Sequence, residues 1–255
     1  MMKPAVIVFG GSKGIGAATA GMLAQEGYAV MVAARNGADC ETFARELRDE
    51  GLKAHGMACD IAISSQVEAV MAKTRSHFGR LDVVINSAGI MDPIAQIESC
   101  DAEEWARCID INLVGSFHIF RSILPSFKAQ GSGVIVNLSS GASSTAIEGW
   151  SAYCSAKAGL AMLARCASAE VMDQNIRIYN FQPGMVNTEL TRKALTHKVN
   201  RIAELDPAEF DPPESAAAAI AWLCRHRPED LVGEEVILTD PEFRRRMTLL
   251  KGGNE

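Results

Sequence analysis

Seven short apolar runs alternate with helical patterns, and this alternation leaves the chain few folds to choose from. The runs are Ala5–Phe9, Tyr28–Ala34, Lys53–Ala58, Leu81–Ile85, Gly133–Leu138, Ile176–Phe181 and Glu235–Leu238. Runs this short and this apolar read as strands buried on both faces. Helical patterns fill the gaps at 39–50, 64–78, 101–130, 153–171 and 214–226, and a further one ends at Glu26. Ser64 or Ser65 is the expected N-cap of the helix at 64–78. Strands alternating with helices imply right-handed crossovers and a doubly wound parallel sheet covered on both sides. At 255 residues and 48% hydrophobic, the chain suits a single domain of this α/β kind, spanning 1–255. Ligands of such sheets bind beyond the carboxyl ends of the strands. Gly10, Arg35, Asp60, Asn86, Ser140 and Gly184 each follow a strand, so the topology gathers them on one edge.

The first strand runs into Gly10-Gly11-Ser12-Lys13-Gly14-Ile15-Gly16 and then a helix. Strand, glycine turn and helix form a phosphate-binding arrangement. The glycines let backbone approach a pyrophosphate, and the helix N-terminus offers amides and partial positive charge. The spacing is Gly-x-x-x-Gly-x-Gly, which differs from the commoner Gly-x-Gly-x-x-Gly. The second strand ends at Ala34-Arg35, where an acidic residue would bind a ribose 2′-hydroxyl. Arg35 and Lys13 instead suit a 2′-phosphate, which favours NADP(H) over NAD(H). Asp60 is placed either to meet an adenine edge or to cap a turn.

Tyr153 and Lys157 are four residues apart in a helical pattern, so they share one face. A phenol beside an ammonium is expected to become more acidic and to exchange a proton near neutral pH. Asn112 lies among apolar helix neighbours and must bond to backbone or hold a water.

Together these residues resemble the short-chain dehydrogenase/reductase family over essentially the whole chain. The matching pieces are Gly10-x-x-x-Gly14-x-Gly16, Asp60, Asn86-Ser87-Ala88-Gly89, Asn112, Ser140, Tyr153-x-x-x-Lys157, and Pro183-Gly184 with Thr188. The resemblance implies a seven-stranded Rossmann fold, a nicotinamide cofactor and a homodimer or homotetramer. It implies that Tyr153 is the general acid in carbonyl reduction and the base in alcohol oxidation. Lys157 would lower the tyrosine pKa and hold the nicotinamide ribose. Ser140 would bond the substrate oxygen, and Asn112 would anchor a water in a relay to Lys157. Cofactor contacts would come from Gly10, Ser12, Lys13, Gly14, Ile15, Gly16, Arg35, Asp60, Ile61, Asn86, Ala88, Gly89, Tyr153, Lys157, Pro183, Gly184, Val186 and Thr188. The chain departs from the pattern at Phe9, where threonine is usual, and at Ser87, where asparagine is usual. It also departs at Thr239-Asp240-Pro241, which replaces the usual Asp-Gly-Gly.

Met91, Ala142, Ile147, Trp150, Met185 and Leu190 flank the motifs and are expected to line a mostly apolar substrate pocket. A hydrophobic or aromatic ketone or aldehyde, or the matching alcohol, fits such a wall better than a sugar. An acyl-carrier (3-oxoacyl thioester) substrate, an epimerase or dehydratase, and a non-catalytic NADP(H)-binding regulator are the competing readings. Residues 189–211 are mixed and polar and are expected to form a mobile lid. The triplet Arg244-Arg245-Arg246 is expected on a solvated or intersubunit face.

A net charge of −6 argues against nucleic acid as a partner. Seven scattered cysteines and no signal-like start point to a reduced, cytoplasmic setting. No apolar run is long enough to span a membrane, and no histidine or cysteine spacing suggests a metal.

Overall fold

Parallel strands need cover on both faces, and the apolar runs at 5–9, 83–86 and 133–138 are buried throughout. The computed structural model describes residues 3–249. Its strands are β1 (Ala5–Phe9), β2 (Ala29–Ala34), β3 (Ala54–Ala58), β4 (Val83–Asn86), β5 (Gly133–Leu138), β6 (Ile176–Gln182) and β7 (Glu235–Ile237). They form one sheet in the order β3-β2-β1-β4-β5-β6-β7, and every pairing is parallel. This is the single-domain Rossmann architecture expected from the sequence. The strand order reverses between β1 and β4, which places the ligand crevice at their carboxyl ends.

Alternate side chains feed two core layers. Val6, Val8, Val30, Val134 and Val136 face one layer, with α1 (Gly14–Gln25), α2 (Gly37–Asp49) and α8 (Pro213–His226). Ile7, Phe9, Met31, Val84 and Ile135 face the other, with α3 (Ser64–Phe78), α5 (Gly115–Gln130) and α6 (Ser151–Glu170). A third, smaller apolar cluster lies outside the sheet. It joins α4 (Ala102–Ile109), α6 and α7 (Glu189–Thr196) around Tyr153.

Local structure departs from the sequence expectations at the start of α3, within 101–130 and in the tail after β7. The N-cap of α3 is Ile63, with no side-chain bond, and Ser64 is already helical. Asp60 shapes that turn instead, its Oδ1 accepting from the Ala62 amide at 3.0 Å. The expected helix 101–130 is interrupted by a wider turn at Asp110–Val114, where the Gly115 amide reaches back to the Asp110 carbonyl. The cause is side-chain intrusion into the helix ladder. The Asn112 amide donates to Cys108 O at 2.9 Å, and the Ser116 hydroxyl donates to Asn112 O at 2.7 Å.

Residues 189–211 are ordered locally. Thr188 starts α7 with a reciprocal cap to Thr191, and single turns follow at Arg201–Glu204 and Pro207–Glu209. The tail after β7 becomes α9 (Pro241–Leu249), opened by Asp240, whose Oδ1 accepts from the amides of Glu242 and Phe243. Phe243 packs edge-on against Trp222. Arg246 lies over the same indole and pairs with Asp230, while Arg244 reaches Asp211. Arg244 and Arg245 are exposed, as a solvated face requires, while Arg246 is half-buried.

Gly56 marks a close approach of β3 to α2: a Cβ there would stand 2.4 Å from the backbone of Cys40 and Glu41. Gly56→Ala is expected to cost about 1–3 kcal/mol, as overpacking of a rigid contact does. Thermal unfolding of the variant checks this, and an unchanged midpoint would contradict the packing.

Candidate active site

The glycine turn is pulled tightly onto the switch point. Gly10 has φ +74°, and a Cβ there would lie 2.6 Å from the Ala88 amide nitrogen; one at Gly16 would lie 2.2 Å from Gly10 O. Phe9 is fully buried, and its carbonyl accepts from the Ser87 amide at 2.9 Å. The β1–β4 seam is thus closed by backbone contacts despite the unusual residues at both positions. The first turn of α1 has no side-chain cap and no acidic residue, and Lys13 precedes it. Its amides remain free to point at an anion beyond the sheet edge.

Ser12 and Ile15 lie within this turn and Gly14 adopts φ +54°. Lys13 pairs with Glu189 at 3.3 Å, but both side chains are largely exposed, so the pair is weak and exchangeable. Arg35 is exposed just past β2, with no acid at the strand end, while Asn36 caps α2. Ile61 is buried against Gly115, and Gly184 has φ +73° beside Thr239. Val186 is buried and Thr188 caps α7 below the Pro183-Gly184 turn. Free helix amides, two cations and glycine-lined backbone fit an anionic dinucleotide.

Asn112 holds the neighbouring loop. Its Nδ2 donates to Ile90 O at 2.8 Å, and its Oδ1 accepts from the Ile90 amide at 3.2 Å. With the Cys108 bond, the side chain is committed to backbone. Gly89 slips past it, since a Cβ there would stand 2.6 Å from Asn112 Oδ1. Lys157 Nζ, one turn along α6 from Tyr153, donates to Leu138 O at 2.7 Å and sits 5.5 Å from the Tyr153 ring centroid. Ser140 follows β5, and its hydroxyl accepts from the Ala142 amide at 3.2 Å. Asn112, Ser140, Tyr153 and Lys157 are therefore brought together.

The proton affinities differ from the expectation of an acidic phenol. Burial pushes Tyr153 up to about 12, and a hydrogen bond from Ser140 only partly opposes this. Burial also pulls Lys157 down, to about 8. Both groups are dry, and desolvation disfavours the phenolate and the ammonium alike. At neutral pH the resting pair is a neutral phenol beside a mostly protonated lysine.

Five of the six expected pocket residues, Met91, Ala142, Ile147, Trp150 and Leu190, pack in the cluster that contains Tyr153. Met185 lies outside it, with its carbonyl accepting from the Asp211 amide. Trp150 meets the Tyr153 ring edge-on at 5.8 Å. Sequence reasoning missed Ile94, Cys108 and Trp105, which also belong here. Trp105 Nε1 ties α4 to α6 through Ser151 Oγ at 3.1 Å. Cys108 carried one readable signal, its position one helical turn before Asn112.

Residues 4–199 match the short chain dehydrogenase family. The chain belongs to that family. It is therefore an oxidoreductase of the short-chain dehydrogenase/reductase type, built to work with a nicotinamide dinucleotide. It is 36% identical to cis-4-hydroxycyclohexanecarboxylate dehydrogenase of Sinomonas cyclohexanicum over 89% of this chain and 91% of that one. Among solved structures it is similar to levodione reductase, with TM-score 0.86, 26% identity and coverage of 94% and 98% of the two chains. It is also similar to a variant actinorhodin polyketide ketoreductase determined with NADPH, with TM-score 0.84, 25% identity and coverage of 92% and 95%. This dehydrogenase/reductase has no helix, among the described residues, long and apolar enough to cross a membrane. Its seven cysteines are free thiols.

The depressed lysine carries a stability consequence. Its folded pKa of about 8 lies below the ordinary 10.5, a burden on the order of 3 kcal/mol while the ammonium is held in the dry site. That burden is complete below pH 8 and is relieved as pH rises from 8 towards 10.5, where the unfolded chain binds the extra proton. Lys157→Met is expected to stabilise the protein by roughly 1–3 kcal/mol at pH 7. The gain should shrink as the pH is raised towards 10. Urea unfolding of both proteins at pH 7 and pH 10 reads this; a variant less stable than wild type at pH 7 would refute it.

Proposed function

We propose that the protein is an NADP(H)-dependent carbonyl reductase acting on a hydrophobic cyclic ketone, with Tyr153 as proton donor. The observation that carries this is the neutral, buried Tyr153 phenol standing between Ser140 and an apolar wall. A nicotinamide bound in the crevice would supply the hydride chemistry. The chain's residues do the rest. Ser140 and Tyr153 direct hydroxyls at the carbonyl oxygen and stabilise charge as it forms there. A phenol held at about 12 is protonated at neutral pH and can serve as the proton donor. The nearby Lys157 ammonium favours the phenolate left behind.

Arg35 and Lys13 support a 2′-phosphate, since no carboxylate stands at the end of β2 to take a 2′-hydroxyl. The similarity to a ketoreductase determined with NADPH agrees with that choice. Met91, Ile94, Trp150 and Leu190 offer apolar surface suited to a ring. The related hydroxycyclohexanecarboxylate dehydrogenase acts, by its name, on a substituted cyclohexane. We further assign α7 and the two turns after it as a lid over this wall, and a homodimer or homotetramer as the working form.

Tyr153→Phe should lower ketone-dependent NADPH oxidation by about 10²–10⁴-fold while NADPH still binds. Reduction by the wild type should decline as pH rises through about 8, where Lys157 loses its proton. Initial-rate assays on cyclic ketones over roughly two pH units either side of that value test both statements. Retained turnover in Tyr153→Phe would remove the tyrosine from the chemistry. Arg35→Ala should raise the NADPH dissociation constant about tenfold or more and leave NADH nearly unaffected; equal losses for both cofactors would argue against the 2′-phosphate contact.

A further inference from the structure

Three asparagines and a glutamate stand in one row across the sheet. The registers pair Asn86 with Asn137, Asn137 with Asn180, and Asn180 with Glu235. All four side chains lie on the face beneath α5 and α6, because residues two positions earlier on the first three strands (Val84, Ile135, Ile178) belong to that core layer. The Asn86 amide donates to Ser116 on α5 at 2.9 Å, and the Asn180 amide to Ala161 O on α6 at 3.4 Å. Asn86 Oδ1, Asn180 Oδ1 and both polar atoms of Asn137 are buried and have no protein partner. Exchanging the Asn137 amide nitrogen and oxygen cannot repair this, since both are affected.

Lys157 meets the row at β5. Its Nζ bonds the carbonyl of Leu138, the residue after Asn137, and it lies one helical turn before Ala161. Glu235 closes the outer end. It accepts from Ser139 Oγ at 3.0 Å and from Gln182 Nε2 at 2.6 Å, and it is partly exposed. Buried polar groups without protein partners are ordinarily satisfied by ordered water making about three hydrogen bonds.

We propose that the asparagine row holds a file of ordered waters that carries protons between Glu235 and Lys157, with Glu235 positioning the charge on Lys157. The proposal rests on Tyr153 being the proton donor. Each carbonyl reduced removes one proton from Tyr153, and the buried ammonium one turn away is placed to restore it. Lys157 is then an amine. A proton from bulk water enters at the Glu235 carboxylate, passes along the waters and rebuilds the ammonium, so that only a proton moves. The titratable groups acting on Lys157 are Tyr153 on its own helix, Cys108 from α4 and Glu235 from β7; the last two favour the ammonium.

Two readouts need no substrate. An atomic-resolution crystal structure should place waters on Asn137 and Asn180, and a dry row would overturn the proposal. Nitrogen NMR of Lys157 in the free protein should show a lower pKa in Glu235→Gln than in wild type; an unchanged value would overturn it too. A failure here leaves the role of Tyr153 untouched, whereas an inactive wild type with the waters and the NMR shift in place would count only against the reductase reading. In turnover, Glu235→Gln should lower kcat about tenfold with KM unchanged. It should also move the alkaline limb of the kcat profile to lower pH and enlarge the solvent isotope effect, and Glu235→Asp should restore much of the rate. A variant that melts earlier but keeps the wild-type pH profile would show a structural role only, against the proposal.

Discussion

The Asn112 side chain is the contact on which the geometry of the site depends. It spends its hydrogen bonds on backbone, gripping both the amide and the carbonyl of Ile90 and the carbonyl of Cys108. One grip fixes the loop after β4, where Gly89 must pass within touching distance of the asparagine. The other diverts the helix ladder at Asp110–Val114, so that α4 and α5 meet at a wider turn instead of a straight run. That turn packs against α6, which carries Tyr153 and Lys157. A buried amide with three backbone bonds is difficult to replace, because any smaller or apolar residue leaves paired groups unpaired at about 1–3 kcal/mol each.

Around this fixed point the protein keeps two ionisable groups out of water. Dryness raises the affinity of Tyr153 for its proton and lowers that of Lys157. The same burial that makes a lysine expensive to hold as an ammonium strengthens its field on the phenol, since screening by water is weak there. Stability is therefore lost at the place where a proton must be handled. The surrounding sheet, with fully buried β1, β4 and β5, can absorb the loss.

Much of this was legible in the sequence because it is local. Apolar runs bounded by glycine and small polar residues mark strands, and Tyr153 and Lys157 declare themselves by helical spacing. The parallel sheet then carries local signals to one edge. What escaped is what joins residues far apart in the chain. Glu235 meets Ser139 across 96 positions and Gln182 across 53, and nothing near any of them announces the meeting. The acidic phenol expected from Tyr153-x-x-x-Lys157 failed for a related reason. Spacing gives the distance between two groups but not how dry their surroundings are, and here desolvation sets the direction, with Ser140 opposing it. The tail shows a third limit. An arginine triplet looks like a solvated face until Trp222 and Asp230, contributed by α8 and the turn after it, take up Arg246.

The unusual Phe9 gains a meaning from the row that crosses the sheet beside it. The β1–β4 register sets Phe9 directly against Asn86, on the face that carries Asn137, Asn180 and Glu235. A fully buried phenyl ring offers water no partner, so the polar row stops at β1. The opposite end opens at Glu235, on the last strand, which is partly exposed. One apolar end and one charged, solvent-touching end give the row a direction. A threonine hydroxyl at position 9 would extend polarity towards the phosphate-binding turn and offer protons a second way out. The phenylalanine ends the polar row short of the glycine turn.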